Sequence, residues 1–177
     1  MTSSRPATAP SSPEAPSPAE ETKSRLDLAL ALILLFGLLL RLQYVDLPMA
    51  EAHRWRAVTN ADIARNFAER SMNIFYPQVN WGGADQPYVG MEFPLMHWLL
   101  AVLYKIFGVH EILGRFISIA FSLGTIWAVF ALGARLFGVA TGRAAAFLMA
   151  ISPTAVFFGR VLISDTPMVF FSVVAVL

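Results

Sequence analysis

The sequence predicts an all-α, polytopic membrane protein on three observations. Of its 177 residues, 56% are hydrophobic and 14% charged, where soluble domains are nearer half apolar and a quarter charged. Apolar runs approaching the length of a bilayer span lie at about 26–45, 112–134 and 144–162, and another opens at 167–177. Between the first two runs lies a shorter one, Leu95 to Phe107. As a helix it would rise about 20 Å, against a hydrocarbon core of roughly 30 Å.

The totals also exclude some functions. A net charge of +1 leaves no broad basic surface for nucleic acid. With no cysteine there is neither a disulfide framework nor thiol chemistry.

Residues 1–24 are rich in Pro, Ser, Ala, Thr and Glu without apolar periodicity, which predicts a disordered tail on the cytoplasmic side. The first span follows Lys23 and Arg25, and Arg41 near its end is expected to snorkel outward. A cleaved leader is the rival reading, with Ala50-Glu51-Ala52 as a small-x-small site. The long preceding tail and the further spans favour an uncleaved helix.

Residues 46–111 read as one outer loop. Within it Asn60 is expected to cap a helix whose apolar stripe is Ile63, Ala64 and Phe67. A turn-rich piece, N-W-G-G-A-D-Q-P-Y, follows around Gly82, Gly83 and Pro87. Leu95 to Phe107, with Trp98 and Lys105 suited to headgroups, is expected to lie along the bilayer surface. Pro153 should kink the third span.

Parity supports the surface reading. Lys23/Arg25 and Arg135/Arg143 both belong on the cytoplasmic side. They share it only if Leu95–Phe107 does not cross. Glu92 and Asp165 then share the outer face.

Four stretches carry a resemblance. They are H-R-W-R-A-V-T-N-A-D-I-A-R-N-F (His53–Phe67), W-G-G-A-D-Q-P-Y-V-G-M-E-F-P-L (Trp81–Leu95), Y-K-I-F-G-V-H-E-I-L-G-R (Tyr104–Arg115) and S-P-T-A-V-F-F-G-R-V-L-I-S-D (Ser152–Asp165). In this order, between such runs, the chain resembles the amino-terminal part of GT-C membrane glycosyltransferases, the family of protein O-mannosyltransferases and the lipid A aminoarabinose transferase. The resemblance covers about residues 25–177. It implies a chain corresponding to roughly the first third of a member. It also implies an enzyme of the plasma (inner) membrane that moves a sugar from a polyprenyl-phosphate donor to a lipid, glycan or protein acceptor. Its catalytic face would be periplasmic or extracytoplasmic.

The acceptor must lose a proton as it attacks the anomeric carbon, and the family assigns this to a first-loop acid. Where relatives carry that aspartate this chain has Thr59, leaving Asp62 and Glu51 as the two candidates. Glu92, in E-F-P-L, falls where relatives hold a glutamate near the donor phosphate or a divalent metal. The lysine that often follows is here Phe93.

Arg160 and Asp165 flank the end of the third span. An ion pair between them is the plain reading and a site carboxylate the functional one. Glu92 and Asp165 are the pair that a divalent ion would bridge. Arg56 suits bidentate phosphate contact. His53, Trp55, Trp81, Asp85 and Tyr88 have the composition of a substrate loop, whereas His97 and His110 read as structural. The rival class is a transporter or flippase-like fragment, or a non-catalytic scaffold. The spans are nearly free of charge and the acids gather in the outer loop, which favours an enzyme.

Overall fold

In the computed structural model, residues 18–43, 45, 54–80 and 88–177 are described. Among them the chain forms seven helices: α1 (Pro18–Leu42), α2 (Arg54–Glu69), α3 (Leu95–Phe107), α4 (Glu111–Phe137), α5 (Val139–Ile151), α6 (Pro153–Phe158) and α7 (Asp165–Val176). Their only strand-like feature is an isolated antiparallel bridge between Gln78 and Tyr88. The protein is an all-α membrane protein. By length and composition α4 is the described helix fit to cross a bilayer, with shorter apolar stretches at Leu28–Leu42, Leu95–Phe107, Val139–Ile151 and Asp165–Val176.

α1 begins inside the stretch expected to be disordered. Pro18 opens it, at the helix position where proline's fixed φ is accommodated. Arg41 does not snorkel. It is fully buried. Its Nε donates to Ser122 Oγ at 2.7 Å and its Nη1 to the carbonyls of Gly37 and Ala150 at 3.0 and 3.1 Å. Its Nη2 donates to the Ala155 carbonyl at 3.3 Å. Two of these acceptors, Ala150 and Ala155, lie on either side of the point where the third apolar run breaks. Pro153 does more than kink it: Ser152 leaves helical geometry (φ −56, ψ 122), and α6 starts with Pro153 at its first position.

Printed contacts set the helix directions. At one end of the bundle the Leu162 carbonyl accepts from Asn60 of α2, and Leu162 also packs against Gly114 in the first turn of α4. There Arg160 donates to the Gln43 carbonyl just beyond α1. At the other end Gly142 of α5 lies against Ala134 of α4, and Arg135 donates to the Leu177 carbonyl after α7. α4 and α7 therefore run the same way, with α5 and α6 returning between them.

α3 matches the bounds read from sequence and ends at Gly108, whose φ of 84° favours glycine. Its buried face, including Met96, Leu100 and Tyr104, joins Ala57 and Ala64 of α2 and Leu162 in one core. Residues before and after α3 meet the same end of the bundle, Glu92 beside Asp165 and Gly114 beside Leu162. Both ends of α3 therefore lie at the same end of the bundle.

α2 differs from its expected start. Asn60 is not a cap but lies in mid-helix, because the helix reaches back to Arg54. Its amide is spent on tertiary contacts instead. The expected stripe holds, with Ile63, Ala64 and Phe67 all buried.

Candidate active site

Two carboxylates distant in sequence line one cleft. Glu92 comes from the bend before α3, and Asp165 is the first residue of α7. With Phe93, Leu95 and Ser164 they enclose a space of about 350 Å³. Arg56 reaches across from α2, its Nη1 lying 3.6 Å from Asp165 Oδ2, both side chains about half exposed. The ion pair expected between Arg160 and Asp165 is replaced by this one. Arg160 turns to the Gln43 carbonyl at 2.7 Å and stacks over Phe157, with 5.7 Å to the ring centre.

The link carrying Asp165 is held by polar contacts that the sequence did not announce. Asn60 Nδ2 donates to the Leu162 carbonyl at 2.9 Å, and Asn60 Oδ1 lies 2.9 Å from His97 Nε2. Ser118 Oγ donates to the Val161 carbonyl at 2.8 Å. Asn60 and Ser118 are therefore positioning residues that composition passed over. Asn60 is read correctly only once its helix is known to begin at Arg54.

His97 is buried, in keeping with a structural role. Burial pushes its imidazole down to about 4, against an upward pull from the Glu92 carboxylate and the Pro94 carbonyl. It is neutral near pH 7. The Asn60 oxygen facing Nε2 then fixes that nitrogen as the donor.

Asp62 lies outside this cleft's lining. Both of its carboxylate oxygens accept hydrogen bonds from Asn80, one from the backbone N–H at 2.8 Å and one from the side-chain amide. Arg70 Nη2 donates to Asn80 Oδ1 at 2.8 Å. Asp62 thus anchors the segment after α2 rather than sitting at a helix start. Trp55 is exposed on α2, and exposed Tyr88 meets Tyr76 edge-on at 5.8 Å between ring centres. His110 is exposed just before α4. Glu51, His53, Trp81 and Asp85 lie outside the described residues.

As for a metal, the described residues offer no cluster of three His, Cys, Asp or Glu side chains. Hard divalent cations take six or more oxygens. Glu92 and Asp165, the latter already facing a guanidinium, do not make up a site by themselves.

Comparison with known families places the chain. Residues 85–177 match the family model described as dolichyl-phosphate-mannose-protein mannosyltransferase. The chain belongs to that family. It is a membrane glycosyltransferase of the GT-C type, mannosyltransferase-like. The matched part holds α3 to α7 with Glu92 and Asp165, while Arg56 and Asp62 precede it. No curated protein and no solved structure matches the chain.

Proposed function

We propose that the protein transfers a sugar from a polyprenyl-phosphate-linked donor to an acceptor hydroxyl or amine at the outer face of the membrane. The observation that carries this reading is the convergence of Glu92, Asp165 and Arg56 at one end of the bundle, where both ends of α3 also lie. The basic flanks Arg135 and Arg143 lie towards the opposite end, and the positive-inside rule supports an outward-facing cleft.

In the reaction the acceptor's lone pair attacks the anomeric carbon. The bond from that carbon to the phosphate oxygen breaks, its electron pair leaves on the phosphate, and a carboxylate takes the acceptor proton. The cleft supplies the phosphate side. Arg56 offers a guanidinium and α7 its N-terminal dipole, and Ser164 Oγ is a buried hydroxyl with no partner in the structure. Arg56 also offsets the negative charge of Asp165 beside the bound anion. Glu51 remains the candidate base. Asp62 is the second, provided that it exchanges its Asn80 contacts for the acceptor.

The test is donor consumption, which needs no knowledge of the acceptor. Full-length protein in vesicles of its native membranes, mixed with the cell's lipid, glycan and protein fractions as acceptor source, would receive polyprenyl-phosphate mannose, with released polyprenyl phosphate measured. Glu92→Gln and Asp165→Asn should each slow release at least about tenfold, equivalent to about 1.4 kcal/mol of barrier. Wild-type rates in both would remove the cleft from the mechanism.

A further inference from the structure

A second space meets Asp165 from the other flank of α7. Asp165, Thr166 and Val169 line a pocket of about 370 Å³, while Pro167, Met168 and Phe171 turn to the Glu92 cleft. The two spaces therefore lie on either side of one helix and share Asp165. The rest of the pocket is built by α4 and by the break between α5 and α6. Non-helical backbone at membrane depth is tolerated where it lines a polar cavity. Helix α5 has risen about 20 Å from Val139 when it breaks, against a hydrocarbon core of roughly 30 Å. The pocket thus lies in the half of the bundle nearer Asp165.

Its walls offer both donors and acceptors. Ser122 Oγ accepts from the buried Arg41 Nε at 2.7 Å, which leaves its own proton to be given into the pocket. The guanidinium polarises that hydroxyl and strengthens it as a donor. Gly159 permits this approach, since a Cβ there would collide with Ser122 Oγ. Thr125 and Thr166 spend their protons on the carbonyls of Phe121 and Phe158, so they present lone pairs. Ser152 does not cap α6 with its hydroxyl, and Thr154 is exposed beside it. Among the described residues neither of these two hydroxyls has a partner. A lipid tail would leave all these groups unpaired. An anion would face the Asp165 carboxylate and the threonine lone pairs. A sugar ring satisfies them, because each of its hydroxyls both donates and accepts, and its C–H faces suit Phe158 and Val169.

We propose that this pocket belongs to the acceptor: it holds a neutral sugar head carried on a lipid, with one hydroxyl turned to Asp165. The inference rests on the transfer reading above and adds an acceptor class and a place for it. Two observations select the acceptor. The pocket lies on the flank of α7 away from Glu92, and a nucleophile that displaces a leaving group in one step comes from the opposite face of the sugar. Thr154 and Val169 are exposed, so the pocket opens sideways at membrane depth. A lipid-borne head can enter there and a folded protein cannot.

The chain has no cysteine, so one introduced thiol reports on the pocket. Val169→Cys on its wall and Leu148→Cys, exposed elsewhere on α5, would be made separately in the full-length protein in nanodiscs. Octyl mannoside or octyl glucoside, below its micelle concentration, should slow N-phenylmaleimide labelling at position 169 at least fivefold and leave position 148 unchanged. Octanol and octyl phosphate should leave both positions unprotected. No protection by either glycoside, or equal protection by octanol or octyl phosphate, would overturn the proposal. Adding Ser152→Ala and Thr154→Val should raise the half-protecting glycoside concentration at least fivefold, and an unchanged value would also overturn it. Saturating polyprenyl-phosphate mannose alone should leave position 169 unprotected. Protection by it equal to the glycoside's would overturn the assignment to the acceptor. If donor is consumed but position 169 is unprotected, the pocket fails and transfer stands. If it is protected but donor is never consumed, transfer fails and the sugar pocket stands.

Discussion

Replacing Arg41 by methionine tests how the broken third run is held. Arg41 is fully buried and no carboxylate is among its hydrogen-bond partners. It serves Ser122 Oγ, the carbonyl of Ala150 at the end of α5 and that of Ala155 in α6. Methionine fills much of the volume but donates nothing. The Ala150 carbonyl, at the break, loses its donor. An orphaned buried acceptor costs about 1–3 kcal/mol, and each lost bond to a charged donor is worth about 1.5–3. Polar contacts between membrane helices average only about 0.6 kcal/mol, which discounts a simple sum. The expected loss is roughly 3 kcal/mol. Reversible unfolding in mixed micelles, followed by circular dichroism, would measure it. Arg41→Lys should recover less than half, since a single ammonium cannot span acceptors on α1, α4, α5 and α6. A loss below about 1 kcal/mol for Arg41→Met would refute the reasoning.

Other outcomes follow from the same structure. Gly142→Ala should destabilise by about 1–3 kcal/mol, because its Cβ would stand 2.6 Å from the Phe130 carbonyl oxygen and 2.7 Å from the Ala134 nitrogen. Gly90→Ala, with nothing within 4 Å of its Cβ, is the neutral control in the same unfolding assay. His97 is held neutral with its pKa lowered from 6.5 to about 4, so the unfolded chain binds the extra proton first. Its contribution is present above pH 6.5 and is lost as pH falls towards 4, by up to about 3 kcal/mol. Melting curves of wild type and His97→Gln should therefore converge over that window, and parallel curves would contradict it. Trp98→Phe removes the indole bond to the Met72 carbonyl at 3.0 Å and should cost about 1 kcal/mol, read by urea titration in micelles.

How much of this was legible in the sequence depends on what each residue type encodes. Leu95–Phe107 was legible to the residue because a proline precedes it and a glycine follows, and its length alone argued against crossing. The α4 span was legible from hydropathy as 112–134, within the observed Glu111–Phe137. Arg41 was misread because a basic residue at the end of an apolar run ordinarily reaches for water. Nothing local records that a helix break elsewhere will offer it carbonyls. Asn60 was misread for a related reason, since an asparagine before an apolar stripe looks the same whether it caps a helix or reaches across to Leu162. The partner of Asp165 was mistaken because nearness in sequence suggested Arg160, whereas the fold brings Arg56. The acids themselves were found, and so was the meeting of Glu92 with Asp165; the cation that faces them was not.

The central claim is that Glu92 and Asp165 stand on the same side of the membrane, and sidedness labelling tests it most directly. Phe93→Cys, Met168→Cys and Ala140→Cys, each the sole thiol in the chain, would be exposed to a membrane-impermeant maleimide in intact cells. Positions 93 and 168 should label from outside and position 140 only after permeabilisation. Labelling of 93 and 168 from opposite sides would contradict the account.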